Sequence, residues 1–204
     1  TISMAQKIES NQTLDKIAKV KGVIFWVVDL FAFESNMISR LNQKLDTDEI
    51  VLVLTKRDVL PKTLSDKKIL EFVNRRLDEE GIKVKDIVIC GYLLKHNEQS
   101  KACIDEIYSK IQMYRKGRDI VFMGVANAGK STILNQLLAM EDPTTSRHPG
   151  TTLDLVPIEQ DGYTIYDTPG IENHHSVLTF LNSKDLKMVI PTKPIKPFVS
   201  QIYE

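Results

Sequence analysis

The feature that most constrains the fold is a glycine-rich loop at residues 124–131, which reads GVANAGKS. This octapeptide matches the G-x-x-x-x-G-K-[ST] pattern of a phosphate-binding loop, in which backbone N–H groups point at a polyphosphate. An apolar segment, RDIVFM, precedes the loop, and TILNQLLAM follows it with helical periodicity. The strand–loop–helix order therefore predicts a P-loop nucleotide-binding protein. The alternative is a glycine-rich turn that binds nothing.

The loop and the helix after it suggest separate roles for their residues. Lys130 is expected to reach the outer phosphates, and Ser131 is expected to ligate Mg2+. A helix expected from about Lys130 to Met140 adds the partial positive charge of its N-terminus. The residues expected to line the phosphates are Asn127, Ala128, Gly129, Lys130, Ser131 and Thr132.

Two segments downstream of the loop follow in the order that a GTPase requires. The first, RHPGTT at residues 147–152, offers the Thr152 hydroxyl to Mg2+. The second, YDTPG at residues 166–170, places Asp167 at a strand end, where it would hold the metal through water. Gly170 lets its backbone N–H approach the terminal phosphate, which is how switch segments sense that phosphate. The alternative for DTPG alone is an ordinary turn.

The motif that would choose the base, TKRD at residues 55–58, lies upstream of the phosphate loop instead of downstream. Asp58 can accept hydrogen bonds from the guanine ring N–H and amino group together, which adenine cannot supply. The stem of Lys56 can lie along the base plane. The hydrophobic run EIVLVL puts Thr55 at the carboxyl end of a strand, where open α/β sheets bind ligands. A charged turn after a strand is the alternative.

Together these segments resemble the circularly permuted GTPases, and within them the YqeH-like ribosome-assembly GTPases. The segments that carry the resemblance are VVDLFAF (27–33), VLVLTKRDVLPK (51–62), GVANAGKSTILNQLL (124–138), TTSRHPGTTLDLVPI (144–158), YDTPGIENHH (166–175) and DLKMVIPTKPIKP (185–197). The resemblance implies a circularly permuted P-loop NTPase fold that binds GTP or GDP with Mg2+. It also implies a role in assembly of the small ribosomal subunit, with rRNA or a ribosomal protein as partner.

One segment departs from the family pattern. The base-supporting residues that usually read Ser-Ala are here Cys90 and Gly91, after the strand KDIVI. A backbone N–H of this pair could still reach the guanine oxygen. Because glycine has greater backbone freedom than the usual alanine, that contact is expected to be less rigid.

The residues expected to act in hydrolysis form an incomplete set: Lys130, Thr152, Gly170 and Asn127. Where Ras-type GTPases have a glutamine that orients the attacking water, this chain has Ile171, which predicts slow intrinsic hydrolysis. Asn127 resembles the asparagine with which related GTPases hold a potassium ion beside the phosphates. Its alternative is a residue selected for turn geometry. His174 and His175 are interpreted as a solvated polar stretch in preference to an acid–base pair or a zinc site.

Composition indicates one α/β domain. The chain has 204 residues, 42% hydrophobic, with 27 basic and 27 acidic residues and no net charge. The charge balance argues against a surface that coats nucleic acid broadly, and no apolar run of membrane-spanning length occurs. Cys90 and Cys103 lack metal-ligand spacing and are expected to be buried or reduced thiols of a cytoplasmic protein.

Hydrophobic patterning predicts a mostly parallel sheet with helices on both faces. Strands are expected at 22–29, 49–55, 86–90, 119–123, 153–158 and 163–167, and helices at 35–45, 64–80, 103–115 and 130–140. The last two strands are expected to form an antiparallel hairpin through the Asp161-Gly162 turn. Residues 1–20 are interpreted as a helical lead-in, 21–182 as the GTPase domain and 183–204 as a linker toward a module absent from this chain.

Two other functions remain open on the sequence. A P-loop ATPase or kinase would need an adenine site, which TKRD opposes. A GTP-binding scaffold that never hydrolyses its nucleotide is compatible with Ile171. Because the permuted order leaves residues 171–197 directly after DTPG, these residues are predicted to form the output of the switch. The sequence makes no prediction of oligomeric state.

Overall fold

A computed structural model describes residues 4–141 and 155–171. The strands are β1 (Val23–Asp29), β2 (Ile50–Thr55), β3 (Asp86–Ile89), β4 (Ile120–Gly124), β5 (Val156–Gln160) and β6 (Tyr163–Asp167). The helices are α1 (Met4–Val20), α2 (Phe33–Asn36), α3 (Leu41–Leu45), α4 (Asp66–Glu79), α5 (Glu98–Arg115) and α6 (Lys130–Glu141), with 3-10 turns at Arg57–Val59 and Leu93–Lys95. None of the helices within these residues combines the length and the hydrophobicity that a membrane span requires.

The strands form one sheet in the order β3-β2-β1-β4-β6-β5. Every neighbouring pair is parallel except β5 and β6, which form an antiparallel hairpin. Gly162 adopts φ 79° in the hairpin turn, a left-handed conformation that glycine accepts readily. The predicted mostly parallel sheet and its D-G hairpin are therefore confirmed. The carboxyl ends of β1, β2, β4 and β6 lie along the same edge of the sheet.

Hydrophobic residues cover both faces of the sheet. Alternate residues of β1 point to opposite sides, with Ile24 and Trp26 in one cluster and Val23 and Phe25 in the other. Helices α1 to α4 contribute to the first cluster, and α5 and α6 to the second. On the second face, Phe25 stacks on Phe122 with ring centroids 5.2 Å apart. Helices on both faces are thus confirmed, as expected for parallel strands that are apolar throughout.

The prediction of one continuous helix over 35–45 is wrong, because two short helices, α2 and α3, occupy this region. Met37 is extended at ψ 133°, and Arg40 is left-handed at φ 55°. The Asn36 side chain accounts for the break. Its Nδ2 donates to the Ala32 carbonyl at 2.7 Å, and its Oδ1 accepts from the Asp29 N–H at 3.2 Å. Asparagine side chains that bond nearby backbone in this way compete with helix continuation.

Helix α5 begins five residues before the predicted start at residue 103. Asn97 caps it by accepting a 2.9 Å hydrogen bond from the Ser100 N–H. The prediction relied on apolar periodicity, and the first turn of α5 is polar. Strand β5 runs to Gln160, two residues beyond the predicted end, and residues 153 and 154 lie outside the described part of the chain.

Candidate nucleotide-binding site

The phosphate loop joins the end of β4 to the start of α6, as the sequence predicted. The Ala128 N–H donates to the Val125 carbonyl at 3.3 Å, and Gly129 adopts φ 96° before the chain enters the helix. The first N–H groups of a helix have no intrahelical acceptors. The amino terminus of α6 therefore provides unpaired donors and a partial positive charge at the loop, which suits an anion.

Lys130 lies at the centre of this site and is only 8% exposed. Its Nζ forms an ion pair with the Asp167 carboxylate and donates a 2.6 Å hydrogen bond to the Thr168 carbonyl. These contacts bring together the cation expected at the outer phosphates and the carboxylate expected at the metal. The two groups belong to α6 and β6, and they are 37 residues apart in the chain.

The DTPG segment lies against the phosphate loop. Thr168 donates its backbone N–H to the Phe122 carbonyl at 3.2 Å, and Ile171 donates to Gly124 at 3.0 Å. A Cβ added to Gly170 would lie 3.2 Å from the backbone N and Cα of Ala126. That close approach leaves little room for a side chain at Gly170. The segment is therefore attached to the strand that leads into the phosphate loop.

Ile171 and Asn127 occupy the positions on which the hydrolysis predictions depend. Ile171 is 4% exposed and packs in the first hydrophobic cluster, so it contributes no polar group to a water molecule. Asn127 is exposed with φ 64°, a left-handed conformation in which asparagine is common, and this favours its turn-geometry alternative. Its potassium role stays a prediction. Thr152, His174 and His175 lie outside the described residues.

The donor set suits a magnesium ion. Ser131 is exposed in the first turn of α6. Asp167 is the last residue of β6, which pairs with β4, the strand that leads into the phosphate loop. A hydroxyl and a carboxylate are hard oxygen ligands, and Mg2+ commonly takes only one or two such protein ligands beside substrate phosphates and water. Ser131 and Asp167 would hold the ion, which would neutralise phosphate charge when bound. Thr152, the third expected ligand, is not among the described residues.

The base motif reaches the phosphate loop at the end of β2. Thr55 is fully buried, and its hydroxyl donates a 2.6 Å hydrogen bond to the Ala128 carbonyl. Lys56 follows in a left-handed conformation at φ 60°, and a 3-10 turn then carries Asp58. Thr55, Lys56 and Asp58 therefore lie at the same sheet edge as the phosphate loop, although they precede it in the chain.

Asp58 is held by the segment predicted to support the base. Its Oδ1 accepts a 2.8 Å hydrogen bond from the Tyr92 N–H, and the Arg57 N–H donates to the Cys90 carbonyl at 2.9 Å. A Cβ added to Gly91 would lie 3.1 Å from the Asp58 nitrogen. Glycine at this position thus permits the two loops to approach closely. Tyr92 was missed because a backbone donor has no sequence signature.

Cys90 and Cys103 form a disulfide in the structure, so the expectation of reduced thiols is wrong. Burial of both residues is confirmed, at 0% and 6% exposure. Cys90 follows β3, Cys103 lies on α5, and their Cα atoms are 5.6 Å apart, within the usual range for a disulfide. The separation of 13 residues carried no signal of this contact, which arises from packing α5 on β3. The bond ties the base-supporting segment to α5.

Two carboxylates with lowered pKa values lie at the opposite, amino-terminal edge of the sheet. The hydrogen bond from Arg118 holds the pKa of Glu49 below its ordinary value, against the effect of burial and with help from Lys85. Burial alone would raise the pKa of Asp86, but hydrogen bonds from Lys110, the Ile87 N–H and Tyr114 together lower it. These groups are remote from the phosphate loop and serve the fold.

The fold and the site define a P-loop nucleotide-binding domain in which the base motif precedes the phosphate loop in sequence. A sequence profile described as 50S ribosome-binding GTPase matches residues 119–202. The uncharacterized protein YqeH of Bacillus subtilis is 35% identical over 195 residues, which is 93% of this chain. NO-associated protein 1 of Arabidopsis thaliana is 30% identical over 92% of this chain.

Among solved structures, GNP-bound YlqF from T. maritima superposes with a TM-score of 0.52 over 87% of this chain and 70% of its own, at 16% identity. This likeness concerns the fold. The chain is therefore a YqeH-like GTPase domain with a circularly permuted order of motifs. It spans 52% of the Bacillus protein and 35% of the Arabidopsis protein, which are both longer than this chain.

Proposed function

We propose that this domain binds GTP and GDP in preference to adenine nucleotides and hydrolyses GTP slowly. The observation that carries the proposal is the hydrogen bond from the Thr55 hydroxyl to the Ala128 carbonyl of the phosphate loop. Because of this contact, the Asp58 carboxylate and the α6 amino terminus lie at the same edge of the sheet. A carboxylate can take both guanine donors, whereas adenine offers no matching pair. Names of similar proteins, such as GTPase Der, support the same activity.

Hydrolysis in this proposal is slow because the described residues place no side chain that could orient water at the position of Ile171. Lys130 would bind the outer phosphates, and Asp167, its ion-pair partner in the structure, would help to hold the magnesium ion, which would supply further positive charge there. Charge stabilisation by these groups lowers the barrier to phosphoryl transfer without a general base. A partner or a potassium ion near Asn127 would supply the remaining acceleration.

A single-turnover assay tests the activity. With enzyme in excess, the protein should release phosphate from GTP in the presence of Mg2+ and release much less from ATP. Lys130→Ala should abolish release, whereas Lys110→Ala should retain it, because Lys110 pairs with Asp86 at the opposite edge of the sheet. No release from GTP would favour the non-hydrolysing scaffold. Equal release from ATP would favour an ATPase or kinase.

The partner proposed for this GTPase is a ribosomal subunit in the cytoplasm. The family resemblance points to assembly of the small subunit, whereas the description of the matching profile names binding to the 50S, or large, subunit. Co-sedimentation with purified small and large subunits, in GDP and in a non-hydrolysable GTP analogue, distinguishes the two. We expect binding to the small subunit that depends on the nucleotide. Binding to the large subunit alone would refute the small-subunit assignment.

The switch output is proposed to follow Gly170. Its backbone adjoins Ala126 of the phosphate loop, so a change at the terminal phosphate is transmitted to the segment that Gly170 begins. Residues 172–197 of that segment lie outside the described part of the chain. Hydrogen exchange over 171–197 should be slower with the GTP analogue than with GDP. Identical exchange in both states would contradict this output.

A further inference from the structure

The ammonium of Lys56 is bound by a carboxylate that the sequence did not single out. Asp29 is the last residue of β1, directly opposite Thr55 in the parallel register, and its side chain forms an ion pair with Lys56. The two side chains are 7% and 21% exposed. Because Lys56 is left-handed at φ 60°, its stem leaves the backbone at the point where β2 ends and the base motif begins.

Asp29 is itself fixed by the residues that follow it. Its Oδ1 accepts a 2.8 Å hydrogen bond from the Phe31 N–H, and its own N–H donates to Asn36 Oδ1 at 3.2 Å. Asn36 is 2% exposed and also donates to the Ala32 carbonyl at 2.7 Å. The loop between β1 and α2 therefore holds the carboxylate at a defined place before any nucleotide binds.

We propose that Asp29 is a positioning residue for guanine recognition that acts through Lys56. With its ammonium held on Asp29, the Lys56 stem presents a fixed apolar surface to one face of the purine ring. A free lysine side chain has large rotamer freedom, and a stem that is already ordered loses less of it on binding. The inference rests on the proposed function, since it concerns how the same site holds its base.

The ion pair with Asp29 also argues against a second role for Lys56, direct attraction of the nucleotide phosphates. Its positive charge is balanced by a buried carboxylate, so its contribution to affinity comes from orientation more than from attraction to phosphate. If Asp29 merely stabilised the fold, its substitution would lower stability, and its effect on GDP affinity would not depend on Lys56. The dependence of one substitution on the other is the link that distinguishes the two roles.

A double-mutant cycle tests the link. Asp29→Asn keeps the shape and an acceptor for the Phe31 N–H but removes the charge, and Lys56→Met keeps an apolar stem without the ammonium. Each variant is titrated with fluorescent GDP and melted without nucleotide. Each single change should weaken GDP binding by about three- to tenfold, the cost of ordering one flexible side chain. The double variant should be no weaker than Lys56→Met alone.

Asp86→Asn is the matched control, because Asp86 pairs with Lys110 at the other edge of the sheet. It should lower the melting temperature and leave GDP affinity within about twofold of wild type. If Asp29→Asn fails to fold, Asp29→Glu provides the comparison, since it retains the charge and displaces the carboxylate by one methylene. Glutamate should also weaken GDP binding.

Two results would overturn the inference while leaving the proposed function intact. One is wild-type GDP affinity in the folded Asp29 variant. The other is a double variant whose loss equals the product of the two single losses. Failure of the proposed function has a different signature, because wild-type protein would then bind GDP no better than ADP.

Discussion

The hydroxyl of Thr55 and the carbonyl of Ala128 are joined by a 2.6 Å hydrogen bond between residues 73 positions apart. This bond links the end of β2 to the phosphate loop, and both groups are buried. It is the contact by which a base motif that comes early in the chain is held beside the phosphate-binding residues. Both halves of the site therefore belong to one packed unit, independent of their order in sequence.

Thr55→Val should destabilise the domain and weaken nucleotide binding together. Valine matches the shape of threonine but leaves the buried Ala128 carbonyl without this donor, which costs about 1 to 3 kcal/mol. Urea unfolding without nucleotide measures the loss. Thr164→Val is the control, since its hydroxyl bonds Glu159 at 3.3 Å on the surface and its loss should cost less than about 0.5 kcal/mol. Equal losses in the two variants would contradict the role assigned to Thr55.

Reduction of the Cys90–Cys103 disulfide should lower stability and loosen the base-supporting segment. A crosslink over 13 residues stabilises by up to about 3 kcal/mol. Because the Cys90 carbonyl accepts from the Arg57 N–H, GDP affinity should fall as well. Melting curves with and without dithiothreitol measure the first effect, and titration measures the second. Cys103→Ser should show neither response to the reductant. A wild-type melting temperature unchanged by full reduction would refute the prediction.

Asp86→Asn should make the domain less sensitive to acid. The folded pKa of Asp86 is below its ordinary value of 3.8, so its stabilising effect is complete above that value and is lost as pH falls through the folded pKa. Wild-type unfolding free energy should therefore decline below about pH 4. The variant should start lower at neutral pH and decline less steeply. Parallel pH profiles for the two proteins would rule out this contribution.

Potassium should accelerate hydrolysis if Asn127 helps to hold the ion. Turnover should be faster in KCl than in NaCl at equal ionic strength, because the smaller sodium ion fits the same oxygen ligands poorly. Asn127→Ala should remove the difference between the salts. Equal wild-type rates in KCl and NaCl would leave Asn127 as a turn residue, the role that its φ of 64° favours.

Patterns within short segments predicted much of this molecule. The phosphate loop, the base motif and the six strands of the described residues follow from local residue order, because apolar runs and glycine positions act over a few residues. Lys130 and Asp167 were assigned to one site from motif spacing, and the structure brings them into contact.

Predictions that depended on side chains meeting across the fold were less successful. The Asn36 amide divides a helix that the pattern made continuous, and Cys90 meets Cys103 only because α5 packs on β3. Asp29 carried no signal as a partner of Lys56, since their contact depends on the register of β1 against β2. Such pairings are tertiary properties, and hydrophobic periodicity contains no information about them.

Nucleotide competition, with wild-type protein and with an Asp58 variant, is the most direct test of guanine recognition. Competition against fluorescent GDP should show that GTP displaces the label from wild-type protein and that ATP does so poorly. Asp58→Asn replaces an acceptor pair with a group that presents a donor, so GTP binding should weaken by about 2 to 5 kcal/mol while xanthosine triphosphate gains affinity. Equal competition by ATP and GTP on wild-type protein would contradict the account.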